Sequence, residues 1–175
     1  MNTNFANWIT ASRIFLSLPI CLLLLRGDIQ SRSLAGILFL VASLTDYLDG
    51  KVARTQKITS DFGKAFDPFA DKILILAVFL SFVFLKEIQF WMFLLILIRE
   101  VGVTVMRSGA IKKFTPTLLA KSKTAVQMCG ILLIIFLPFA GFARKEQFTS
   151  LIMYVILIIT LVSGIQYIFI SKRKA

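Results

Sequence analysis

The stretch FTSLIMYVILIITLVSGIQYIFI, residues 148–170, contains no charged side chain and decides the class of fold. A helix needs about 20 mainly apolar residues to cross the hydrocarbon core of a bilayer. A second uncharged stretch of similar length, Ala125–Ala143, precedes it. The two stretches predict two membrane-spanning helices.

The composition of the whole chain points the same way. Of its 175 residues 58% are hydrophobic and 17% charged, with a mean hydropathy of +0.85. An ordinary soluble domain is about 45–50% apolar and about 25% charged. Because a soluble fold of this size could not cover so much apolar surface, we expect an integral membrane protein. The chain has no histidine, which excludes zinc–histidine sites and an imidazole base.

Further segments are long enough to span a membrane only if their charged ends are included. There are four of them: Trp8–Leu25, Leu34–Ala53, Ala65–Leu85 and Phe90–Met106. Together with the two uncharged stretches they predict an all-α bundle of six transmembrane helices. Since the connections are short, we expect one domain over residues 1–175.

The basic residues predict the orientation of these helices. Lys and Arg number 20 against 9 Asp and Glu, an excess that in a membrane protein reflects the positive-inside rule rather than nucleic-acid binding. With the N-terminus inside, the outer side receives only Arg26, Arg32, Lys86, Arg144 and Lys145. We therefore expect both termini to be cytoplasmic.

Charged residues enter the four less apolar segments at alternating ends. Alternating helices bring all of them to one membrane face: Arg13, Asp46, Asp49, Asp67, Asp71, Arg99 and Glu100. Ionisable residues inside a membrane are costly, and they usually mark a functional site. The pattern predicts a polar cavity that opens to the cytoplasm.

The aspartates suggest a metal site. Asp46 and Asp49 are three residues apart, and Asp67 and Asp71 are four apart, so each pair shares a helix face. Carboxylates gathered in a low-dielectric cavity repel one another unless cations neutralise them. Mg²⁺ and Mn²⁺ prefer oxygen ligands, and two such ions form the clamp used in phosphoryl displacements. The alternative is that these aspartates are helix caps and surface ion-pair partners.

The pattern D-x2-D-G-x2-A-R-x8-G-x3-D-x3-D, from Asp46 to Asp71, resembles the signature of the CDP-alcohol phosphotransferases. The resemblance implies a six-helix membrane fold, usually dimeric, with its active site facing the cytoplasm. It also implies transfer of a phosphatidyl group from CDP-diacylglycerol to an alcohol. For this chain it implies a homodimer in the cytoplasmic membrane of a bacterium.

The resemblance assigns roles to individual residues. Two metal ions, Mg²⁺ or Mn²⁺, are held by Asp46, Asp49, Asp67 and Asp71, and Asp71 is also the general base. The cytidine nucleotide is held by Gly50, Arg54 and Ser60. The entry segment N-x2-N-x2-T-x2-R adds Asn7 and Thr10 to the nucleotide pocket, although Thr10 is also a plausible helix N-cap.

Two further segments resemble the branch of the family whose acceptor is glycerol 3-phosphate. They are Arg99–Arg107 and Lys121–Gln127. The resemblance implies that Arg107, Lys121 and Lys123 bind the acceptor phosphate, so the expected reaction transfers the phosphatidyl group to sn-glycerol 3-phosphate and releases CMP.

Several alternatives stay open. Arg99 and Glu100 could only neutralise each other at a buried helix end, and the basic residues could only be positive-inside charge. The acceptor could be phosphatidylglycerol, as in a cardiolipin synthase, or an inositol phosphate. A small divalent-cation transporter with carboxylates along its path is the alternative outside the enzymes.

Overall fold

A computed structural model describes the backbone of residues 4–56, 61–109, 118–141 and 144–174. Side chains are described over residues 15–45, 72–105, 122–139, 141 and 144–167. Apart from short connections, the described backbone is helical throughout, which confirms the predicted all-α class.

The described residues form six α-helices, in the number and order that the apolar stretches predict. They are α1 (Asn4–Arg26), α2 (Ile29–Gln56), α3 (Asp61–Phe84), α4 (Phe90–Gly109), α5 (Leu118–Phe136) and α6 (Lys145–Lys174). Several helices extend beyond the predicted segments. For example, α2 begins at Ile29 rather than Leu34, because the Asp28 carboxylate caps it by accepting the N–H of Ser31 at 2.7 Å.

The prediction of one continuous helix over Ala125–Ala143 is wrong at its C-terminal end. The α-helix α5 stops at Phe136, and a single 3-10 turn follows over Leu137–Ala140. Pro138 explains the break, because proline has no N–H to donate to the carbonyl four residues earlier and its ring clashes with that carbonyl. Gly141 then takes a left-handed conformation with φ 64°.

The helices close into a ring. α1 contacts α2 and α3, α3 contacts α4, α4 contacts α6, α6 contacts α5, and α5 contacts α2. The core between them contains fully or almost fully buried side chains from each helix, including Ile20, Phe39, Phe82, Ile96, Ile131 and Ile156.

Successive helices alternate in direction, so the bundle has two ends. At one of them, called here the aspartate end, α1, α3 and α5 begin and α2, α4 and α6 end. The last three turns of α2 carry Asp46 and Asp49, and the first three turns of α3 carry Asp67 and Asp71. The opposite end carries the basic residues expected outside: Arg26, Arg32, Lys86, Arg144 and Lys145.

A partly buried ion-pair network, the opposite-end clamp, joins three parts of the chain there. It consists of Arg32 on α2, Glu87 in the α3–α4 turn and Lys145 on α6. Both guanidinium Nη atoms of Arg32 donate to Glu87 at 2.7 Å, and the Lys145 ammonium donates to Glu87 Oε1 at 2.7 Å. Burial raises the pKa of Glu87, but the hydrogen bonds and charges of Arg32 and Lys145 outweigh it, and the pKa lies below its ordinary value.

Arg32 of the clamp also donates hydrogen bonds to backbone carbonyls at the end of α5. Arg32 Nη2 donates to the carbonyl of Ile134 at 3.0 Å, and Arg32 Nε donates to that of Ile135 at 2.9 Å. The Ile134 carbonyl is the one that Pro138 leaves without an intrahelical donor. A buried arginine therefore satisfies the backbone where the proline breaks the helix.

Large apolar side chains cover the outside of the bundle. Phe15 on α1 and Phe84 on α3 are 78% and 68% exposed, and many leucines, isoleucines and valines are more than one-third exposed. Within the described residues, two stretches are suited to cross a membrane by length and composition, Ser122–Phe139 and Lys145–Tyr167. They overlap the two uncharged stretches of the sequence.

Candidate active site

The four aspartates of the signature lie on helix segments at the same end of the bundle. Asp46 and Asp49 lie on α2, and Asp67 and Asp71 lie on α3. Only residues 57–60 separate the two helices along the chain. The backbone therefore brings both aspartate pairs to the aspartate end, while their side chains lie outside the described residues.

The other predicted site residues approach the same end. Their positions are Asn7 and Thr10 on α1, Gly50 and Arg54 on α2, Arg107 on α4, and Lys121 and Lys123 on α5. Ser60 lies outside the described residues. Lys123 is the one predicted site residue whose side chain is described, and it leads into a buried polar cluster.

This cluster, called here the Glu100 cluster, is built around one carboxylate on α4. Its members come from four helices and are Lys72, Arg99, Glu100, Thr104, Lys123, Gln127, Thr160 and Ser163. Glu100 is only 2% exposed. Its carboxylate accepts a hydrogen bond from the Lys123 ammonium, lies 3.1 Å from Arg99 Nη1 and lies 3.2 Å from Lys72 Nζ.

Lys123 was predicted from the family resemblance to bind the acceptor phosphate. It is 4% exposed, and its ammonium lies against Glu100 Oε1. The Arg99–Glu100 pair agrees with the alternative that these two residues neutralise each other at a buried position. Lys123 and Lys72 share the same carboxylate, however, so Glu100 does more than balance its sequence neighbour.

The described side chains of the cluster carry more cations than anions. They carry three cations, from Lys72, Arg99 and Lys123, and one carboxylate, from Glu100. Buried cations are costly unless anions lie close to them. In such low-dielectric surroundings each charge–charge interaction is also stronger than in water. Among the described side chains, these three cations therefore depend on the nearby Glu100 carboxylate.

Lys72 connects the middle of α3 to α4. Its ammonium donates to the backbone carbonyl of Glu100 at 3.0 Å and to the Thr104 hydroxyl. The Thr104 hydroxyl donates to the same carbonyl at 2.7 Å. Because Lys72 directly follows Asp71 in the chain, this contact places the turn that carries Asp71 beside the Glu100 cluster.

Helix α6 completes the cluster with uncharged groups that the sequence analysis missed. Ser163 Oγ accepts a hydrogen bond from Arg99 Nη2 at 2.7 Å, and Thr160 Oγ1 accepts one from Gln127 Nε2 at 3.3 Å. Gly164 leaves room for the arginine, since a Cβ there would lie 3.2 Å from Arg99 Cγ. No sequence pattern marks Thr160 and Ser163, because α6 carries other uncharged polar residues such as Thr149, Ser150 and Gln166.

Comparisons with known proteins identify the family to which the chain belongs. Residues 3–165 match the family model described as CDP-alcohol phosphatidyltransferase. A CDP-diacylglycerol–glycerol-3-phosphate 3-phosphatidyltransferase of Rickettsia felis is 32% identical, with 99% of this chain and 98% of the relative covered. A Bacillus subtilis protein of the same name is 35% identical, with 94% and 93% covered.

A probable phosphatidylglycerophosphate synthase of Mycobacterium tuberculosis is 33% identical, with 94% of this chain and 80% of the relative covered. These similarities run along nearly the whole chain, and the stretch matched by the family model spans residues 46–71. The resemblance inferred from the sequence is therefore confirmed: the chain is an enzyme of the CDP-alcohol phosphatidyltransferase family.

Proposed function

We propose that this enzyme transfers the phosphatidyl group of CDP-diacylglycerol to sn-glycerol 3-phosphate, giving phosphatidylglycerophosphate and CMP. The observation that carries the proposal is the near full-length similarity to relatives named for this reaction. The cation-rich Glu100 cluster supports it, because glycerol 3-phosphate is a small dianion that such a region would attract.

The aspartates would hold the metal. Enzymes of this family generally use divalent metal ions. Asp46, Asp49, Asp67 and Asp71 supply only carboxylate oxygens, the donors that Mg²⁺ and Mn²⁺ prefer, and their helix segments reach the same end of the bundle. Two bound ions would offset the negative charge that grows on the departing CMP.

Asp71 is the base in this proposal. The 1-hydroxyl oxygen of glycerol 3-phosphate attacks the phosphorus that carries the diacylglycerol, and the bond from this phosphorus to the CMP oxygen breaks. CMP leaves with the electron pair, and Asp71 accepts the hydroxyl proton. Such proton transfer requires hydrogen-bond distance between the carboxylate and the hydroxyl, so Asp71 acts mainly through its position.

The nucleotide and the acceptor occupy different parts of the aspartate end. Asn7, Thr10, Gly50, Arg54 and Ser60 hold the cytidine diphosphate portion of the donor. The Arg54 guanidinium offers a planar fork for diphosphate oxygens. The acceptor phosphate is bound by Arg107, Lys121 and Lys123. The described position of Lys123 in a buried cationic cluster supports this last assignment.

The six helices form one membrane-spanning domain, residues 1–175, in the cytoplasmic membrane of a bacterium. Members of the family are membrane enzymes, and the exposed apolar side chains on the outside of the bundle suit contact with lipid tails. The excess of lysine and arginine towards the aspartate end favours a cytoplasmic site and cytoplasmic termini. We propose a homodimer on the basis of the family resemblance.

The acceptor assignment is tested by CMP release from CDP-diacylglycerol in detergent with Mg²⁺ or Mn²⁺. Glycerol 3-phosphate, phosphatidylglycerol and inositol phosphate are supplied one at a time. We expect release with glycerol 3-phosphate. Release with only one of the other acceptors would support the phosphatidyl transfer and contradict glycerol 3-phosphate as the acceptor. A lack of release with every acceptor, in folded protein that binds metal, would contradict the proposed function.

A further inference from the structure

The Glu100 carboxylate contacts side chains of three helices and is linked to a fourth through Gln127. It receives Lys72 from α3, Arg99 from its own helix α4, and Lys123 from α5. Gln127 of α5 also approaches it at 3.4 Å and is hydrogen-bonded to Thr160 of α6. The family resemblance assigns Glu100 no role in the reaction, and neutralising Arg99 would explain only one of these contacts.

We propose that Glu100 is the positioning residue of the acceptor site. Its carboxylate holds the Lys123 ammonium where the acceptor phosphate binds and, through Lys72, fixes the turn of α3 next to Asp71. This inference rests on the proposed function, because it takes Lys123 as a ligand of the acceptor phosphate and Asp71 as the base.

A lysine that is to bind a phosphate with a fixed geometry requires a partner such as the Glu100 carboxylate. Its side chain carries about 2 kcal/mol of rotamer entropy, and its ammonium has no preferred plane. The three cations of the cluster also repel one another at low dielectric. A buried carboxylate shared by all three opposes both effects, since its attraction holds each cation near one point and offsets their mutual repulsion.

The contacts of Lys72 extend the positioning by Glu100 to the turn of α3 that carries Asp71. Lys72 reaches both the side chain of Glu100 at 3.2 Å and its backbone carbonyl at 3.0 Å. α3 therefore cannot slide or rotate against α4 without breaking these contacts. Since Lys72 is the chain neighbour of Asp71, the acceptor lysine and the base are held relative to the same glutamate.

The opposite-end clamp offers a matched control. The side chain of Glu87 is 11% exposed and that of Glu100 is 3% exposed. Both carboxylates contact more than one cation, and both join different helices. Glu87→Gln therefore makes the same chemical change in a similar setting at the other end of the bundle, far from the proposed acceptor site.

The test is steady-state CMP release in detergent by the wild-type enzyme and the variants Glu100→Gln, Glu100→Asp and Glu87→Gln. The concentration of glycerol 3-phosphate is varied at saturating CDP-diacylglycerol. In a second series, the concentration of CDP-diacylglycerol is varied at saturating glycerol 3-phosphate. We expect Glu100→Gln to raise the KM for glycerol 3-phosphate about ten-fold or more, as the loss of an outer partner does at other oriented sites. The KM for CDP-diacylglycerol should change by less than about two-fold.

The conservative variant separates positioning from a general loss of stability. Glu100→Asp keeps the charge on a shorter side chain, so its KM for glycerol 3-phosphate should lie between those of the wild type and Glu100→Gln. Glu87→Gln should lower the melting temperature while leaving both KM values unchanged. If Glu100→Gln does not fold, Glu100→Asp alone decides the test. Its KM for glycerol 3-phosphate should then rise while its KM for CDP-diacylglycerol stays unchanged.

Three results would overturn the inference: an equal rise in both KM values, an unchanged or lower KM for glycerol 3-phosphate in either Glu100 variant, or the same kinetic change in Glu87→Gln. Failure of the proposed function looks different, because the wild-type enzyme itself would then release no CMP in response to glycerol 3-phosphate. In that case the inference is overturned together with the function on which it rests.

Discussion

Lys123 is a charged side chain that is only 4% exposed. A buried ammonium is maintained only where its contacts offset the loss of hydration, and Glu100 provides one such contact. Lys123 lies near two other cations, Lys72 and Arg99, rather than in a simple ion pair. This setting favours a role in binding an anion.

Replacing Lys123 tests this role. We expect Lys123→Ala to raise the KM for glycerol 3-phosphate about ten-fold or more, because one charge-assisted hydrogen bond contributes about 1.5–3 kcal/mol. Glu100 would keep Lys72 and Arg99 as partners in this variant. Lys145→Ala, which removes a lysine from the opposite-end clamp, is the control and should leave this KM unchanged. An unaltered acceptor KM in Lys123→Ala would remove the residue from the acceptor site.

The close approach of α2 and α5 depends on Gly36. A Cβ at this position would lie 2.7 Å from Cζ of Phe136 and 2.9 Å from Cγ2 of Ile135, both too short for a van der Waals contact. We expect Gly36→Ala to destabilise the fold by about 1–3 kcal/mol, the usual cost of overpacking. The measurement is the melting temperature in detergent.

Gly102 of α4 is the matched control, because a Cβ there meets no atom of the described residues within 4 Å. Alanine favours a helix interior over glycine by about 0.5–1 kcal/mol, so Gly102→Ala should leave the melting temperature unchanged or raise it. Equal melting temperatures for the two alanine variants would contradict the packing described for α2 and α5.

The opposite-end clamp should make stability depend on pH. The pKa of Glu87 in the folded protein lies below its ordinary value of 4.5. The stabilisation it provides is therefore fully present above pH 4.5 and is lost as the pH falls through the lower, folded pKa. The difference in melting temperature between the wild type and Glu87→Gln should shrink between about pH 7 and about pH 3. A difference that stays constant would show that the ion pairs contribute nothing.

At the scale of elements, the apolar stretches predict the number and order of the helices but not all of their ends. The hydropathy pattern includes Pro138 in the continuous span Ala125–Ala143, because the proline ring is apolar. The backbone of proline, however, cannot continue the helix. Capping by Asp28 likewise lengthens α2 into residues that hydropathy alone assigns to a loop. Local backbone chemistry, rather than hydropathy, sets these boundaries.

The sequence predicts those parts of the candidate site that carry charged side chains. Alternation of the helices predicts that Asp71 and Glu100 approach the same end, and the Lys72–Glu100 contact agrees with this. Which cations Glu100 contacts depends on packing between residues distant in the chain. Thr160 and Ser163 carry no charge, so no pattern distinguished them from other polar residues in α6.

At the scale of the whole molecule, the orientation in the membrane can be measured directly. Lys86 is exposed at the opposite end of the bundle, whereas Lys172 belongs to the last turn of α6 at the aspartate end. In a background without Cys21 and Cys129, a membrane-impermeant maleimide should label Lys86→Cys in intact spheroplasts and Lys172→Cys only after lysis. The reverse labelling would place the aspartate end outside.

The central claim is that the aspartate end joins the phosphatidyl group to glycerol 3-phosphate, and transfer of an isotopic label tests it most directly. Purified enzyme receives labelled glycerol 3-phosphate, CDP-diacylglycerol and Mg²⁺ or Mn²⁺, and the label is counted in the organic extract. We expect label in the lipid with the wild type, only when donor and metal are both present, and none with Asp71→Asn. CMP release without label in the lipid, or full labelling by Asp71→Asn, would contradict the account.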